Sequence, residues 1–149
     1  MRTIFALGLV AIACGCSSAA QPAVARSHAE LTVTAITPAG SSELTSGTTL
    51  DASLAYHIDG FQSQPDRYYL TIQFEKVGGG SFNHYHHFAE EPVLSQGEGT
   101  VHVTYAMTHV WDDQRLKKPI RVWFYLVERT AQHDSAVIGK AGPFDYASK

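Results

Sequence analysis

The chain has 149 residues, with 11 Lys and Arg against 14 Asp and Glu, a formal charge of −3 and 2 cysteines. That mildly acidic balance argues against a nucleic-acid partner. The length beyond the leader described next, about 120 residues, suits one domain of ordinary size rather than two.

Met1, Arg2 and Thr3 precede an uncharged apolar run over residues 4–13, the pattern of a signal peptide with a short basic start. A run of about ten apolar residues is too short for a transmembrane helix, which needs roughly 20. Ala13-Cys14-Gly15-Cys16 follows. Small residues just before a cysteine resemble a bacterial lipobox, which implies a lipid on Cys14 or Cys16 and membrane attachment through that anchor. Neither cysteine has leucine three positions earlier, and ordinary cleavage near Ala20 or Ala25 is the alternative. The residue after the cysteine, Gly15 or Ser17, is not Asp. In a Gram-negative cell this implies an outer-membrane lipoprotein facing the periplasm. No cysteine follows Cys16, so an exported domain has no internal disulfide and depends on its core.

The expected organisation is thus a lipoprotein signal peptide over residues 1–16, a flexible tether over 17–29 and one β domain over 30–149. The tether is rich in Ser, Ala, Gln and Pro without hydrophobic period. Beyond it, apolar residues recur at every second position, and no long window has helical spacing.

Residues 30–36 read as a first strand, stopped by Thr37-Pro38-Ala39-Gly40. Over residues 49–58, Leu50, Ala52, Leu54, Tyr56 and Ile58 alternate with a wetter set, which predicts a half-buried strand. The same logic gives Tyr68, Leu70, Ile72 and Phe74 a core face over residues 68–77. A short strand is expected within 81–94, after Gly78-Gly79-Gly80. Val101, Val103, Tyr105 and Met107 define a strand over 100–109, and Ile120, Val122, Phe124 and Leu126 one over 120–127. A last strand, over 136–146, is interrupted by Gly142-Pro143.

About seven short strands separated by turn signals predict an all-β, two-sheet antiparallel sandwich. Their order and spacing, with the opening strand closing on residues 37–41 and the second entered through Gly47, resemble an immunoglobulin-like or fibronectin type III-like domain. The cysteine pair of true immunoglobulin domains is absent, and the strand that would carry a buried Trp carries Tyr69 and Ile72. Such a fold serves adhesion, carbohydrate binding, chaperone and inhibitor roles alike, so function has to be sought in sites.

Two surfaces stand out. The outward residues of 120–127 are Arg121, Trp123, Tyr125 and Val127, too apolar for open water. Beside Tyr69 on the expected neighbouring strand, Trp123 and Tyr125 form an aromatic patch suited to a protein or sugar partner. The alternative is that residues 81–94 or the C-terminal segment cover them as a satellite core. The second surface is Asn83-His84-Tyr85-His86-His87-Phe88. On an extended chain His84 and His86 share one side, and with His102 or His109 they form a candidate copper or zinc site. Exposed loop histidines are the competing explanation. Phe82, Tyr85 and Phe88 are apolar enough to cover the patch, which would merge the two sites.

Catalytic patterns are missing: there is no Gly-x-Ser-x-Gly elbow, His133-Asp134-Ser135 lacks its context, and Glu90-Glu91 and Asp112-Asp113 point to opposite faces if extended. The sequence-based expectation is therefore a non-enzymatic envelope lipoprotein binding another envelope or secreted protein through Tyr69, Arg121, Trp123 and Tyr125. Metal handling through His84, His86 and His102 is the alternative.

Overall fold

A computed structural model describes residues 26–83, 92–129 and 134–149. These residues are all-β and form two sheets. The strands are β1 (His28–Thr37), β2 (Glu43–Leu44), β3 (Thr49–Asp59), β4 (Tyr68–Glu75), β5 (Ser81–Asn83), β6 (Glu98–Ala106), β7 (Ile120–Arg129) and β8 (Ser135–Ser148). One sheet has the order β1-β3-β6 and the other β2-β8-β7-β4-β5.

The alternation legible in sequence becomes the core because strand side chains project to opposite faces. Leu50, Ala52, Leu54 and Ile58 of β3 are buried against Tyr68, Leu70, Ile72 and Phe74 of β4 and Ile120, Val122, Phe124 and Leu126 of β7. Tyr56 and Val101 pack beside them, half-buried. The Phe74 and Tyr105 rings meet with centroids 5.4 Å apart, joining the two sheets. One flank is closed by β1 approaching β8: a Cβ added at Gly139 would stand 3.0 Å from the Ala29 carbonyl oxygen.

Several details differ from the sequence-based expectation. Pairing is antiparallel except between β2 and β8, which run parallel, so the two sheets are not purely antiparallel as expected. β2, two residues long, was too short to carry a periodic signal. The strand expected over 100–109 ends at Ala106, and Met107–His109 form a 3-10 turn that tucks Met107 into the core. The strand expected over 68–77 ends at Glu75. Gly142-Pro143 bends β8 without ending it: the pairing register shifts between Val122 and Phe124 of β7 at that point. Gly142 has φ 105, and a Cβ there would stand 3.0 Å from the Val122 carbonyl oxygen. Both facts favour glycine.

At one end of the core lies a buried ion pair. Glu128 is 1 % exposed and Arg67 9 %. Arg67 donates from Nε and Nη2 to Glu128 Oε1 at 3.0 and 2.7 Å, and from Nη1 to Gln62 Oε1 at 2.7 Å. The Ser27 backbone N–H donates to Glu128 Oε2 at 3.1 Å, which ties the start of the described chain to β7. Hydrogen bonding to Glu128, foremost, raises the Arg67 guanidinium above its ordinary pKa. Such a pair offsets the cost of burying its charges only when the remaining polar atoms are also engaged, and here Gln62 and Ser27 engage them.

Candidate functional site

The candidate surface is the outer face of the five-stranded sheet. β7 is its central strand, paired with β4 on one side and β8 on the other. Antiparallel register sets Gln73 opposite Trp123, Thr71 opposite Tyr125 and Tyr69 opposite Val127. On the other flank Lys140 lies opposite Tyr125. Arg121, Trp123, Tyr125 and Tyr69 thus share one face of adjacent strands, and all four are half-buried.

Two cations organise the rings. Lys140 Nζ lies 5.3 Å from the Trp123 ring centroid and 5.5 Å from that of Tyr125, so one ammonium spans both. The Arg129 guanidinium carbon lies 4.9 Å from the Tyr69 centroid. Aromatic faces carry negative charge density, which makes such contacts favourable by about 0.5–1 kcal/mol at exposed positions. Tyr69 Oη also hydrogen-bonds Ser135 Oγ at 3.3 Å. A small depression of about 110 Å³ lined by Asp66, Tyr69, Val93 and Arg129 adjoins this end.

Arg121 is fixed differently. Its Nε donates to Asp145 Oδ1 at 2.6 Å, and Nη1 lies 3.8 Å from Glu75 Oε2. These carboxylates, Asp145 first, raise its pKa. Lys117 Nζ donates to the other Glu75 oxygen at 2.7 Å. This corner of the face is therefore a charge network already satisfied within the chain.

The face is not uniformly open. Thr71 and Gln73 point the same way as Tyr69 yet are buried, and Gln73 Nε2 donates to Thr71 Oγ1 at 3.3 Å. Val127 is buried, while Val137 opposite it on β8 is 54 % exposed. The C-terminal strand does not cover the aromatics, because β8 lies in the plane of the sheet as a neighbour of β7. Sequence reasoning missed Lys140 and Arg129. Each is a single cation in its stretch of sequence, and only the pairing of β7 with its neighbours brings them over the rings.

The remaining sequence-derived candidates fall elsewhere. Cys14, Cys16, His84 and His86 lie outside the described residues. The segment holding the two histidines leaves the described structure at Asn83, opposite Gln73, and re-enters at Pro92, whose carbonyl accepts from the Leu70 N–H at 3.2 Å. Both ends therefore adjoin β4 on the same edge. His102 is on the outer face of the three-stranded sheet, its Nε2 3.2 Å from Asp51 Oδ2 and its Nδ1 3.3 Å from Ser53 Oγ. Among the described residues no three His, Cys, Asp or Glu side chains are arranged to hold a metal ion, and no helix is long and apolar enough to cross a membrane.

Compared with known proteins, the chain matches no family model and no curated protein.

Proposed function

We propose that this protein is an exported, lipid-anchored binding or accessory protein whose single immunoglobulin-like sandwich recognises another envelope or secreted protein through the outer face of β4, β7 and β8. One observation carries the reading. Trp123 and Tyr125 stand half-exposed on the central strand of a sheet, spanned by Lys140, where a soluble surface strand ordinarily carries polar residues. Aromatic and Arg side chains on rigid elements are the residue types that dominate binding energy at protein interfaces.

The strand order supports the finer fold assignment. β1, β3 and β6 correspond to strands A, B and E of an immunoglobulin-like domain, and β4, β7 and β8 to C, F and G. β5 stands in the place of an added strand beside C. The opening strand is divided between the sheets, so that β2 runs parallel to β8.

Photo-crosslinking in envelope preparations tests the proposal. A photoreactive residue at Trp123 or Tyr125 is expected to trap one discrete protein, while the same group at Thr32, on the outer face of the opposite sheet, traps none. Equal trapping from both faces, or from neither, refutes the assignment of this face.

A further inference from the structure

The three-stranded sheet ends at β6, which among the described residues pairs with β3 alone. Open sheet edges invite pairing with another chain, and proteins usually blunt them with Lys, Pro or a bulge. β6 has none of these: its sequence is Glu-Gly-Thr-Val-His-Val-Thr-Tyr-Ala, and its register against β3 runs without a shift from Glu98 to Ala106. The opposite edge of the same sheet is protected, since β1 carries a bulge between Val33 and Ala35 and lies against Gly139 of β8.

The direction of the β6 backbone follows from its ends. The Ile58 N–H donates to the Gly97 carbonyl, and the Met107 N–H donates to the Thr48 carbonyl. Antiparallel ladders alternate, so odd-numbered residues of β6 bond to β3 and Glu98, Thr100, His102, Thr104 and Ala106 turn their N–H and C=O groups to the open edge. Residues 100–104 read Thr-Val-His-Val-Thr, the same in both directions.

We propose that β6 is a homodimer interface, pairing antiparallel with β6 of a second copy about a two-fold axis at His102. A two-fold interface sets each residue of a patch against its symmetry mate, and this strand is self-complementary in that sense. Thr100 faces Thr104 of the second copy, Val101 faces Val103, and Glu98 faces Ala106. No like charges oppose one another, and Thr pairs across strands are favourable. The register uses all five edge-facing residues and forms about ten backbone hydrogen bonds. His102 meets its own copy on the axis, but each imidazole is already drawn back onto β3 by Asp51 and Ser53. The product is a continuous six-stranded sheet that leaves the aromatic faces of both copies free.

Sedimentation equilibrium of the full chain in density-matched detergent, with residue-resolved amide exchange, tests this. A dimer is expected in which the Thr100, His102 and Thr104 amides exchange at least about tenfold more slowly at high than at low protein concentration. The amides of Val101, Val103 and Tyr105, already bonded to β3, stay unchanged. His102→Asp, which opposes two carboxylates at the axis, is expected to weaken the dimer by about tenfold or more, and His102→Thr to retain it. A monomer at every concentration, a dimer whose Thr100 and His102 amides stay fast, or a folded His102→Asp chain that dimerises normally would each overturn the proposal. The wild-type exchange pattern decides even if the Asp variant fails to fold.

Discussion

Replacing Glu128 by leucine should destabilise this domain more than any surface change, because it strands the Arg67 guanidinium in a site where that residue is 9 % exposed. The substitution removes two hydrogen bonds from Arg67 and two from Ser27, one through its N–H and one through its hydroxyl, leaving the cation with Gln62 and the neighbouring Tyr68. Breaking a buried pair from one side costs about 3–5 kcal/mol, a large part of the roughly 5–15 kcal/mol that holds a domain folded. At about 4 °C per kcal/mol for a domain of this size, the melting temperature should fall by about 12–20 °C. The double variant Arg67→Met, Glu128→Leu leaves no orphaned charge and should recover most of that loss, giving a coupling of about 2 kcal/mol or more in a urea-denaturation cycle. A single-variant cost below about 1 kcal/mol, or a double variant as unstable as the sum of the singles, would refute the account of Arg67 and Glu128 as mutually dependent buried charges.

Trp123→Ala should cost clearly less than Phe124→Ala in thermal melts, because Trp123 is half-buried on the outer face while Phe124 is 1 % exposed in the core, where loss of a ring costs about 3–5 kcal/mol. Equal costs would make Trp123 a core residue. Burial pushes the Tyr146 hydroxyl up to about 12 and raises that of Tyr105 further. The unfolded chain therefore loses these protons first, near the ordinary tyrosine pKa of about 10. The associated stability is complete below about pH 10 and falls as pH rises toward about 12. Phenolate absorbance should show these two tyrosines ionising together with unfolding, and Tyr146→Phe should reduce the alkaline slope. Gly142→Ala should cost about 1–3 kcal/mol by urea denaturation, since φ 105 and the Val122 carbonyl at 3.0 Å both resist a side chain; a neutral result would mean the bulge relaxes freely. Lys140→Met should leave stability within about 1 kcal/mol yet alter the Trp123 fluorescence, as expected for an exposed ammonium resting on the Trp123 and Tyr125 rings.

The period-2 pattern of Leu50, Ala52 and Leu54, and of Ile120, Val122, Phe124 and Leu126, was enough to identify the strands and their buried faces, because side-chain alternation is a local property of extended chain. By the same token it marked Arg121, Trp123 and Tyr125 as outward. The turn at residues 107–109 was not legible: Met107 continues the apolar alternation of β6 and is buried either way, and only the Val110 N–H donating back to the Met107 carbonyl at 3.1 Å distinguishes a 3-10 turn from further strand. Gly142-Pro143 was legible as a break in the last strand, but that the break is a shift of register across which β8 continues was not, since a bulge within a strand and the end of a strand carry the same two residues.

By itself, then, the sequence determined the all-β class, the two faces of each long strand, the want of disulfides after Cys16 and the aromatic stripe on β7. Tertiary structure alone decided which strands are neighbours. That choice set Lys140 between Trp123 and Tyr125, set Arg129 against Tyr69, buried Arg67 with Glu128 across 61 positions of chain, separated His102 from the aromatic face by placing it on the other sheet, and left β6, among the described residues, at a sheet edge. Such relations depend on strand order, which is fixed by how two sheets best bury their shared apolar faces and leaves little trace in the local spacing of residues.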